Sequence, residues 1–181
     1  MGWLKRIWVF LFGGKHDEKH SNSPAPLPDS PKEEQQRPGG LFDKAFIYTL
    51  KNEGGYSDIP EDKGGATNWG IIHEELSRWR KRPVSKEDVK NLTQEEAKQI
   101  YKAWYWDKLN LDRIKNEKVA LALFDRAILN GLTGVSRFVR KIYKDTSNDG
   151  ANFNNLIDKV NAHDPKAFVV ALANLCEENH R

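Results

Sequence analysis

The chain has a single cysteine, Cys176, among its 181 residues, so it cannot form an intramolecular disulfide. No cysteine and histidine cluster has the spacing of a zinc site. His16 and His20 stand four residues apart in HDEKH, which is not the H-E-x-x-H pattern of zinc-dependent hydrolases. We therefore expect no metal and no organic cofactor, and we expect Cys176 to be a small buried apolar residue.

A strong charge of one sign is also missing. The sequence has 29 Lys and Arg against 26 Asp and Glu, a formal net charge of +3, and the two signs are mixed along the chain. This balance suits a loose attraction to an anionic polymer or membrane, but it does not indicate nucleic-acid binding. We expect a monomer without a nucleic-acid partner.

The first 40 residues divide into two segments. Residues 1–14, MGWLKRIWVFLFGG, are apolar but far shorter than the roughly 20 residues that a spanning helix needs. They fit an anchor at the inner-membrane surface or a weak, uncleaved export signal, and the alternative is a helix packed on the folded domain. Residues 15–40 are rich in proline and charge, which predicts a disordered linker.

Alternating strand-type runs are nearly absent after residue 40, and helical patterns replace them. Phe42, Ala45, Phe46, Thr49 and Leu50 share one helical face in a helix expected to end at Gly54 and Gly55. Further helices are expected over residues 71–81 and after a capping box from Thr93 to Glu96. An apolar central helix should be closed by Gly131, and another helix should follow over the segment GVSRFVRKIYK. A last helix should run from Asp164-Pro165 to about Glu178. The prediction is a mainly α fold with at most a small β-hairpin.

A glycine-rich segment, KNEGGYSDIPEDKGGATNWGII at residues 51–72, carries the candidate chemistry. Glu53 would end a helix, where the helix dipole and burial both raise a carboxyl pKa, as a general acid requires. Asp62 and Thr67 follow on a loop that its glycines make open, so two carboxyls and a hydroxyl are available to hydrolyse a glycosidic bond. The alternatives are a solvated helix end for Glu53, a turn cap for Asp62 and a core position for Trp69.

This segment resembles the signature of glycoside hydrolase family 108, lysozyme-like N-acetylmuramidases of phages and bacteria, some of which are linked to secretion. The family pattern is roughly E-G-G-Y-x-N-D-P-x-D-P-G-G-x-T-x-x-G-I. The matching residues are Glu53, Gly54, Gly55, Tyr56, Pro60, Asp62, Gly64, Gly65, Thr67, Gly70 and Ile71. Two later segments, IYKAWYWD and FDRAILNG, also resemble family segments in the same order. The resemblance covers about residues 41–160.

Three positions depart from the pattern: Asp58 replaces an Asn, Ile59 an Asp and Lys63 a Pro. These departures affect the loop that would hold substrate, but not Glu53. The family often continues beyond the point that corresponds to residue 181, so we expect a reduced substrate wall at that end. The resemblance implies a lysozyme-like catalytic region at 41–115 and a helical peptidoglycan-binding-like region at 116–181, packed on it.

The resemblance also implies roles for particular residues. Glu53 would be the general acid, Asp62 a base or electrostatic stabiliser, and Thr67 the residue that holds the water. Asp62 and Thr67 have a purely structural alternative. The candidate sugar platforms are Tyr56, Trp69, Trp104 and Tyr105, although helical spacing makes Trp104 and Tyr105 equally suited to the core. Asn130 would reach sugar N-acetyl groups or satisfy buried backbone, and Asp125 is expected to face inward.

The expected function is peptidoglycan hydrolysis between N-acetylmuramic acid and N-acetylglucosamine, for lysis or for wall remodelling during secretion. The expected location is the periplasm or cell wall, with residues 1–14 as a tether to the inner membrane. Two alternatives stay open: a non-catalytic peptidoglycan-binding or secretion-accessory module on the same fold, and a lytic transglycosylase acting on the same bond.

Overall fold

Helices and one short hairpin make up the described part of the chain. The computed structural model describes residues 40–50, 55–58, 65–146 and 152–178, so Glu53, the Gly54 cap, Asp62 and the segments 1–14 and 15–39 lie outside the described residues. The α-helices are α1 (Leu41–Leu50), α2 (His73–Arg80), α3 (Lys86–Lys90), α4 (Gln94–Tyr101), α5 (Glu117–Tyr143), α6 (Asn154–Ala162) and α7 (Pro165–Glu178). The strands are β1 (Thr67–Asn68) and β2 (Ile71–Ile72), and a π-helical turn (Lys102–Trp106) and a 3-10 turn (Leu111–Arg113) follow α4.

The centre of the core is aromatic. Phe42 on α1 meets Trp106 at 5.3 Å and Phe124 at 5.8 Å between ring centroids, both edge-to-face, and Trp106 meets Phe124 at 5.5 Å. Edge-to-face pairs of this kind add to the free energy that burial alone provides. The predicted helical face is confirmed where it is described, because Phe42, Ala45, Phe46 and Thr49 are all buried.

A small hairpin lies in the glycine-rich segment, as predicted, and it shortens the second predicted helix. Thr67 pairs with Ile72 and Asn68 with Ile71 in an antiparallel register. Trp69 and Gly70 form the loop with φ values of 53° and 74°, and two positive φ values are what a two-residue type I′ hairpin turn requires. The helix predicted over 71–81 therefore begins only at His73, because the two isoleucines are used as a strand.

The predicted capping box at Thr93 is half formed. Thr93 Oγ1 accepts a hydrogen bond from the Glu96 N–H at 3.2 Å, but the Glu96 carboxylate accepts from Arg80 instead. A reciprocal box forms one helix earlier, where the Ser85 N–H donates to Asp88 Oδ2 and the Asp88 N–H donates to Ser85 Oγ. The Thr93 prediction was wrong for Glu96 because a guanidinium is a stronger partner for a carboxylate than a backbone N–H.

Helix α5 is the central helix, and its first segment closes at Gly131, as predicted. Gly131 adopts φ 70° and ψ 166°, a kink after which the helix resumes and continues to Tyr143. By length and composition this described helix could cross a membrane, but 67% of its most apolar window is buried in the fold. We therefore assign it to the core, where it packs against α1 and α7.

The last helix forms as predicted. Asp164 Oδ1 accepts a hydrogen bond from the Ala167 N–H at 2.7 Å, Pro165 is the first helical residue, and the helix ends at Glu178. Cys176 on this helix is fully buried, as expected, and desolvation raises the pKa of its thiol. All described residues belong to one unit, Gly39–Arg181, and the functional division at residue 115 stays a prediction.

Candidate functional site

Thr67 is fixed through its backbone. Its N–H donates to Ser57 O and its carbonyl accepts from the Ser57 N–H, both at 2.8 Å, so the segment carrying Tyr56 lies beside β1. The Thr67 hydroxyl donates to Gly65 O at 3.3 Å, a contact within its own loop. Tyr56, next to Ser57, is exposed. The structure thus places Tyr56 next to a residue that pairs with Thr67.

The loop of the hairpin is tied to the helices by side chains. Asn68 is buried, and its Nδ2 donates to Val89 O and Lys90 O at 3.0 and 2.9 Å. The Trp69 indole N–H donates to Leu92 O at 2.9 Å. These bonds satisfy carbonyls at the end of α3, which a helix end otherwise leaves open. Asn68 is a positioning residue that the sequence did not reveal, since its partners lie more than twenty residues away.

Tyr101 connects the hairpin to Tyr105, another of the predicted sugar platforms. Its hydroxyl donates to Trp69 O at 3.1 Å, and its ring lies 5.9 Å from that of Tyr105 between centroids. The Tyr101 side chain therefore contacts both the backbone of Trp69 and the ring of Tyr105, two of the predicted sugar platforms. The structure places the predicted aromatic residues on a continuous part of the fold.

A pocket of about 350 Å³ opens beside this aromatic group. Its lining residues are Arg78, Trp104, Tyr105, Lys108 and Leu132. Trp104 and Tyr105 are only partly buried, while their neighbour Trp106 is completely buried and donates from its indole N–H to Asp112 Oδ1 at 2.9 Å. A π-helical turn over these residues thus separates two pocket aromatics from one core aromatic.

The charged wall of the pocket comes from α2 and the residues after the π-helical turn. The Arg78 guanidinium carbon lies 4.5 Å from the centroid of the Trp104 ring, in a cation–π arrangement. Trp79 supports the same ring edge-on at 6.0 Å. Burial raises the pKa of Tyr105, the nearby charge of Glu75 adds to the rise, and Arg78 opposes it. The Tyr105 hydroxyl is therefore a neutral group at ordinary pH, able to donate a hydrogen bond.

Neither cation of the pocket has an acidic partner among the described residues. No described carboxylate lies within 4.0 Å of Arg78 or Lys108, although ten other ion pairs are present in the same part of the chain. The sequence analysis missed both residues. Lys108 had a weak signal, its position four residues after Trp104, whereas the approach of Arg78 to Trp104 depends on the tertiary fold.

Comparison with known proteins assigns the family. The sequence profile of the family described as Glycosyl hydrolase 108 matches residues 46–131. The solved structure of SagA from Brucella abortus is similar over 76% of this chain and 79% of that one, with 33% sequence identity and a TM-score of 0.65. The chain belongs to glycosyl hydrolase family 108. No match was found among curated proteins.

The family 108 match spans most of the predicted site. It begins within α1, includes Glu53, Asp62 and Thr67, and ends at the Gly131 kink. It also includes Arg78, Trp104, Tyr105 and Lys108, so four of the five pocket-lining residues belong to the matched region. Glu53 and Asp62 lie outside the described residues, and their roles stay predictions.

Two polar residues of the family 108 segment FDRAILNG lie on α5. Asp125 is buried beside Arg126, with 3.4 Å between Oδ2 and Nε, which confirms its inward orientation. Asn130 is partly buried, and its Oδ1 is a buried atom without a hydrogen-bond partner. A Cβ atom at Gly134 would lie 3.0 Å from Asn130 Cβ, so Gly134 leaves room for Asn130. Asn130 does not line the pocket, whereas Leu132, two residues later, does.

The described residues offer no group of three His, Cys, Asp or Glu side chains that could hold a metal ion. The chemistry available in this part of the fold is therefore that of hydrogen bonds, aromatic faces and two cations. Together these are the components of a site for a polar ligand with apolar ring faces.

Proposed function

We propose that this family 108 member is a peptidoglycan hydrolase, an N-acetylmuramidase that cleaves the β-1,4 bond between N-acetylmuramic acid and N-acetylglucosamine. The observation that carries the proposal is the family match over residues 46–131, which includes the E-G-G-Y segment with Glu53. The similarity to SagA over most of both chains supports the same assignment. The reaction requires carboxyl groups but no cofactor.

In the proposed mechanism Glu53 is the general acid. It donates its proton to the glycosidic oxygen as the bond to the muramic acid carbon breaks and positive charge develops on the sugar ring. A carboxyl group can act in this way near neutral pH only if its surroundings raise its pKa. A helix end and partial burial at the end of α1 would both act in that direction.

Asp62 and Thr67 are proposed to act on the attacking water. Asp62 accepts a proton from the water, or stabilises the charged ring, and Thr67 orients the water. The geometry of Thr67 is compatible with this role, because its hydroxyl proton is directed to Gly65 O and its oxygen keeps lone pairs for a water proton. The backbone bonds to Ser57 fix the position of that oxygen.

The proposed substrate wall uses the aromatic residues that the fold connects. Tyr56 is exposed beside β1, Trp69 is held by its bond to Leu92, and Trp104 and Tyr105 line the pocket. Flat aromatic faces suit the apolar faces of sugar rings, with their hydroxyl and N–H groups left for polar partners. Asn130 Oδ1 is the proposed acceptor for an N-acetyl N–H, since a buried acceptor without a partner gains most from such a bond.

We also propose that the enzyme acts at the cell wall while residues 1–14 hold it at the inner-membrane surface. The support is the sequence alone: an apolar segment with Trp3 and Trp8, followed by a proline-rich stretch over 15–40. In a flotation assay with vesicles of bacterial lipids, the full chain should float, and the chain with Ile7→Asp and Trp8→Asp should stay at the bottom. Equal flotation of the two would reject the anchor.

The function is tested with purified Gram-negative sacculi. The wild-type chain should reduce their turbidity, and Glu53→Gln should lose at least about a hundredfold in rate, the lower end of what a positioned general acid contributes. Glu74→Gln is the matched control, because Glu74 is an exposed glutamate on α2 and should clear sacculi at the wild-type rate.

The other results have distinct meanings. Equal clearing by wild type and Glu53→Gln would reject Glu53 as the acid. Binding of both to sacculi without clearing would reject the enzyme and leave a wall-binding module on this fold.

A further inference from the structure

The pocket beside Trp104 has an unusual combination of walls for a neutral sugar site. Two of its five lining residues, Arg78 and Lys108, are cations, two are aromatic, and none is acidic. We propose that this pocket binds a carboxylate-bearing glycan unit, with the sugar ring against Trp104 and Tyr105 and the carboxylate at Arg78 and Lys108. The inference rests on the proposed function and adds a specificity to it.

The two pocket cations have no carboxylate partner among the described residues, unlike Arg80, Arg82, Lys86 and Lys98. Lys90 and Lys115 are also unpaired in the same part of the chain, but only Arg78 and Lys108 line the same pocket, where both are exposed to a ligand. Two like charges that share one pocket repel each other, so an anion bound between them gains from both.

Arg78 is held in place by an aromatic ring. Its guanidinium carbon lies over the Trp104 ring, 4.5 Å from the centroid. A guanidinium held over a ring keeps N–H groups for a carboxylate, and prior ordering reduces the entropy lost on binding. Trp79 contacts the Trp104 ring edge-to-face, with 6.0 Å between ring centroids, so the ring itself is supported.

One nearby acid has to be weighed against this charge. Glu75 is close enough to raise the pKa of Tyr105, but it does not line the pocket. Its Oε2 accepts a hydrogen bond from the Ile72 N–H at 3.2 Å at the start of α2, which occupies the carboxylate in a helix cap. The charge on the lining residues themselves remains positive.

The size of the pocket limits the ligand. A volume of about 350 Å³ is at the small end of ligand sites, which suits contact with one sugar residue and its substituent while the rest of a chain continues over the open surface. In peptidoglycan the carboxylate has two sources: the lactyl group of a muramic acid without peptide, or the stem peptide attached to that lactyl group. Both place an anion beside a sugar ring.

The test measures binding, so that it does not depend on catalysis. The full chain with Glu53→Gln is titrated by calorimetry with three soluble probes: a neutral chitin tetrasaccharide, a muramic acid-containing tetrasaccharide without peptide, and the same tetrasaccharide with its stem peptides. The pocket variant adds Arg78→Gln and Lys108→Gln. The control adds Lys90→Gln and Lys115→Gln, which remove the same charge from exposed positions outside the pocket.

The pocket variant should bind the acidic probe about tenfold more weakly and the neutral probe with nearly unchanged affinity, since it loses two charge-assisted contacts at a partly exposed site. The control should bind all probes like the parent. The acidic probe that shows the loss identifies the carboxylate source. Lys108→Arg with Arg78 kept should retain most of the affinity, whereas Arg78→Lys keeps the charge but loses the guanidinium over Trp104 and should retain only part of it. Unchanged binding of the neutral probe shows that the loss does not come from misfolding.

Equal losses for neutral and acidic probes, or the same loss in the control, would overturn the inference. A failure of the proposed function would be distinguishable from a failure of this inference. A chain that clears sacculi but shows no acidic preference remains a hydrolase without this specificity. A chain that clears nothing but loses acidic binding through Arg78 and Lys108 keeps the pocket assignment alone.

Discussion

Two arginines on the same short helix, α2, have opposite environments. Arg80 donates from Nε and Nη2 to the two oxygens of Glu96 at 2.8 and 2.7 Å, and from Nη1 to Asp88 at 2.9 Å. Arg78, two residues earlier, faces the pocket over Trp104 and has no described carboxylate partner. Arg80 is partly buried between carboxylates and links helices, whereas Arg78 is exposed at the pocket, where its charge can meet a ligand.

Arg80, Asp88 and Glu96 form the paired region, which joins helices α2, α3 and α4. Asp88 on α3 accepts from both Arg80 and Arg82, and Glu96 on α4 accepts from Arg80. Hydrogen bonds from arginine hold the pKa values of Asp88 and Glu96 below their ordinary values and raise that of Arg80. The pocket region has no such network, although the same helix α2 supplies its Arg78.

The largest effect is expected at Trp106, a core aromatic on the same π-helical turn as the pocket residue Trp104. Trp106 is fully buried against Phe42 and Phe124, and it lies two residues after Trp104. Trp106→Ala should lower the free energy of unfolding by about 3–5 kcal/mol, through lost burial and the cavity left behind. Urea unfolding measures this, and Trp104→Ala, at a partly exposed ring, should cost clearly less. Equal costs would contradict the division between core and pocket aromatics.

The second prediction removes Arg80 and so disrupts the paired region without altering the pocket residues. Arg80→Ala leaves Glu96 without a guanidinium, while Asp88 keeps that of Arg82, and we expect a loss of about 1–2 kcal/mol in the free energy of unfolding. Affinity for acidic and neutral glycans should change equally or not at all. A selective loss of acidic binding in this variant would show that the two arginines are not separated in function.

Stability measured as a function of pH tests whether the Arg80–Glu96 pair stabilises the fold. The pKa of Glu96 is lowered in the folded state, so its pairing stabilises the fold above the ordinary value of 4.5 and is lost as the pH falls through the folded value. Glu96→Gln should therefore cost about 1–2 kcal/mol at pH 7, and the difference from wild type should shrink below pH 4.5. Unfolding curves across this range check it. A constant difference at all pH values would mean that the Arg80 pair is not the cause.

The smallest effect on stability is expected at Arg78. Without a carboxylate partner, Arg78→Gln should change the free energy of unfolding by less than about 0.5–1 kcal/mol, mainly through the lost contact with Trp104. The same variant should weaken binding of the acidic probe. Arg80→Ala should show the opposite pattern, a loss of stability without a selective loss of acidic binding. A large loss of stability in Arg78→Gln would instead place Arg78 among the structural cations.

Local signals in the sequence predicted the helices well and the contacts between them poorly. The apolar spacing of α1 and the Asp164-Pro165 start of α7 are local, so both were confirmed. The start of α2 was misplaced, because the turn at Trp69 and Gly70 gives Ile71 to a strand. Glu96 was assigned to a cap from its spacing, whereas its partner Arg80 is found only through the tertiary fold.

The candidate site shows the same limit. The motif around Glu53 was recognisable from residue types in order, and the family comparison confirmed the family. Trp104 and Tyr105 were ambiguous between core and site, since helical spacing does not say which face a π-helical turn will present. Arg78 and Lys108 carried no motif, because a missing ion-pair partner is a property of the folded chain.

The most direct measurement of the central claim is mass spectrometry of the soluble products that wild-type protein releases from purified sacculi, with Glu53→Gln run in parallel. The account predicts muropeptides with reducing N-acetylmuramic acid ends from the wild type and almost none from the variant. Products with anhydromuramic ends would contradict hydrolysis, and the absence of soluble products from the wild type would contradict the enzyme itself.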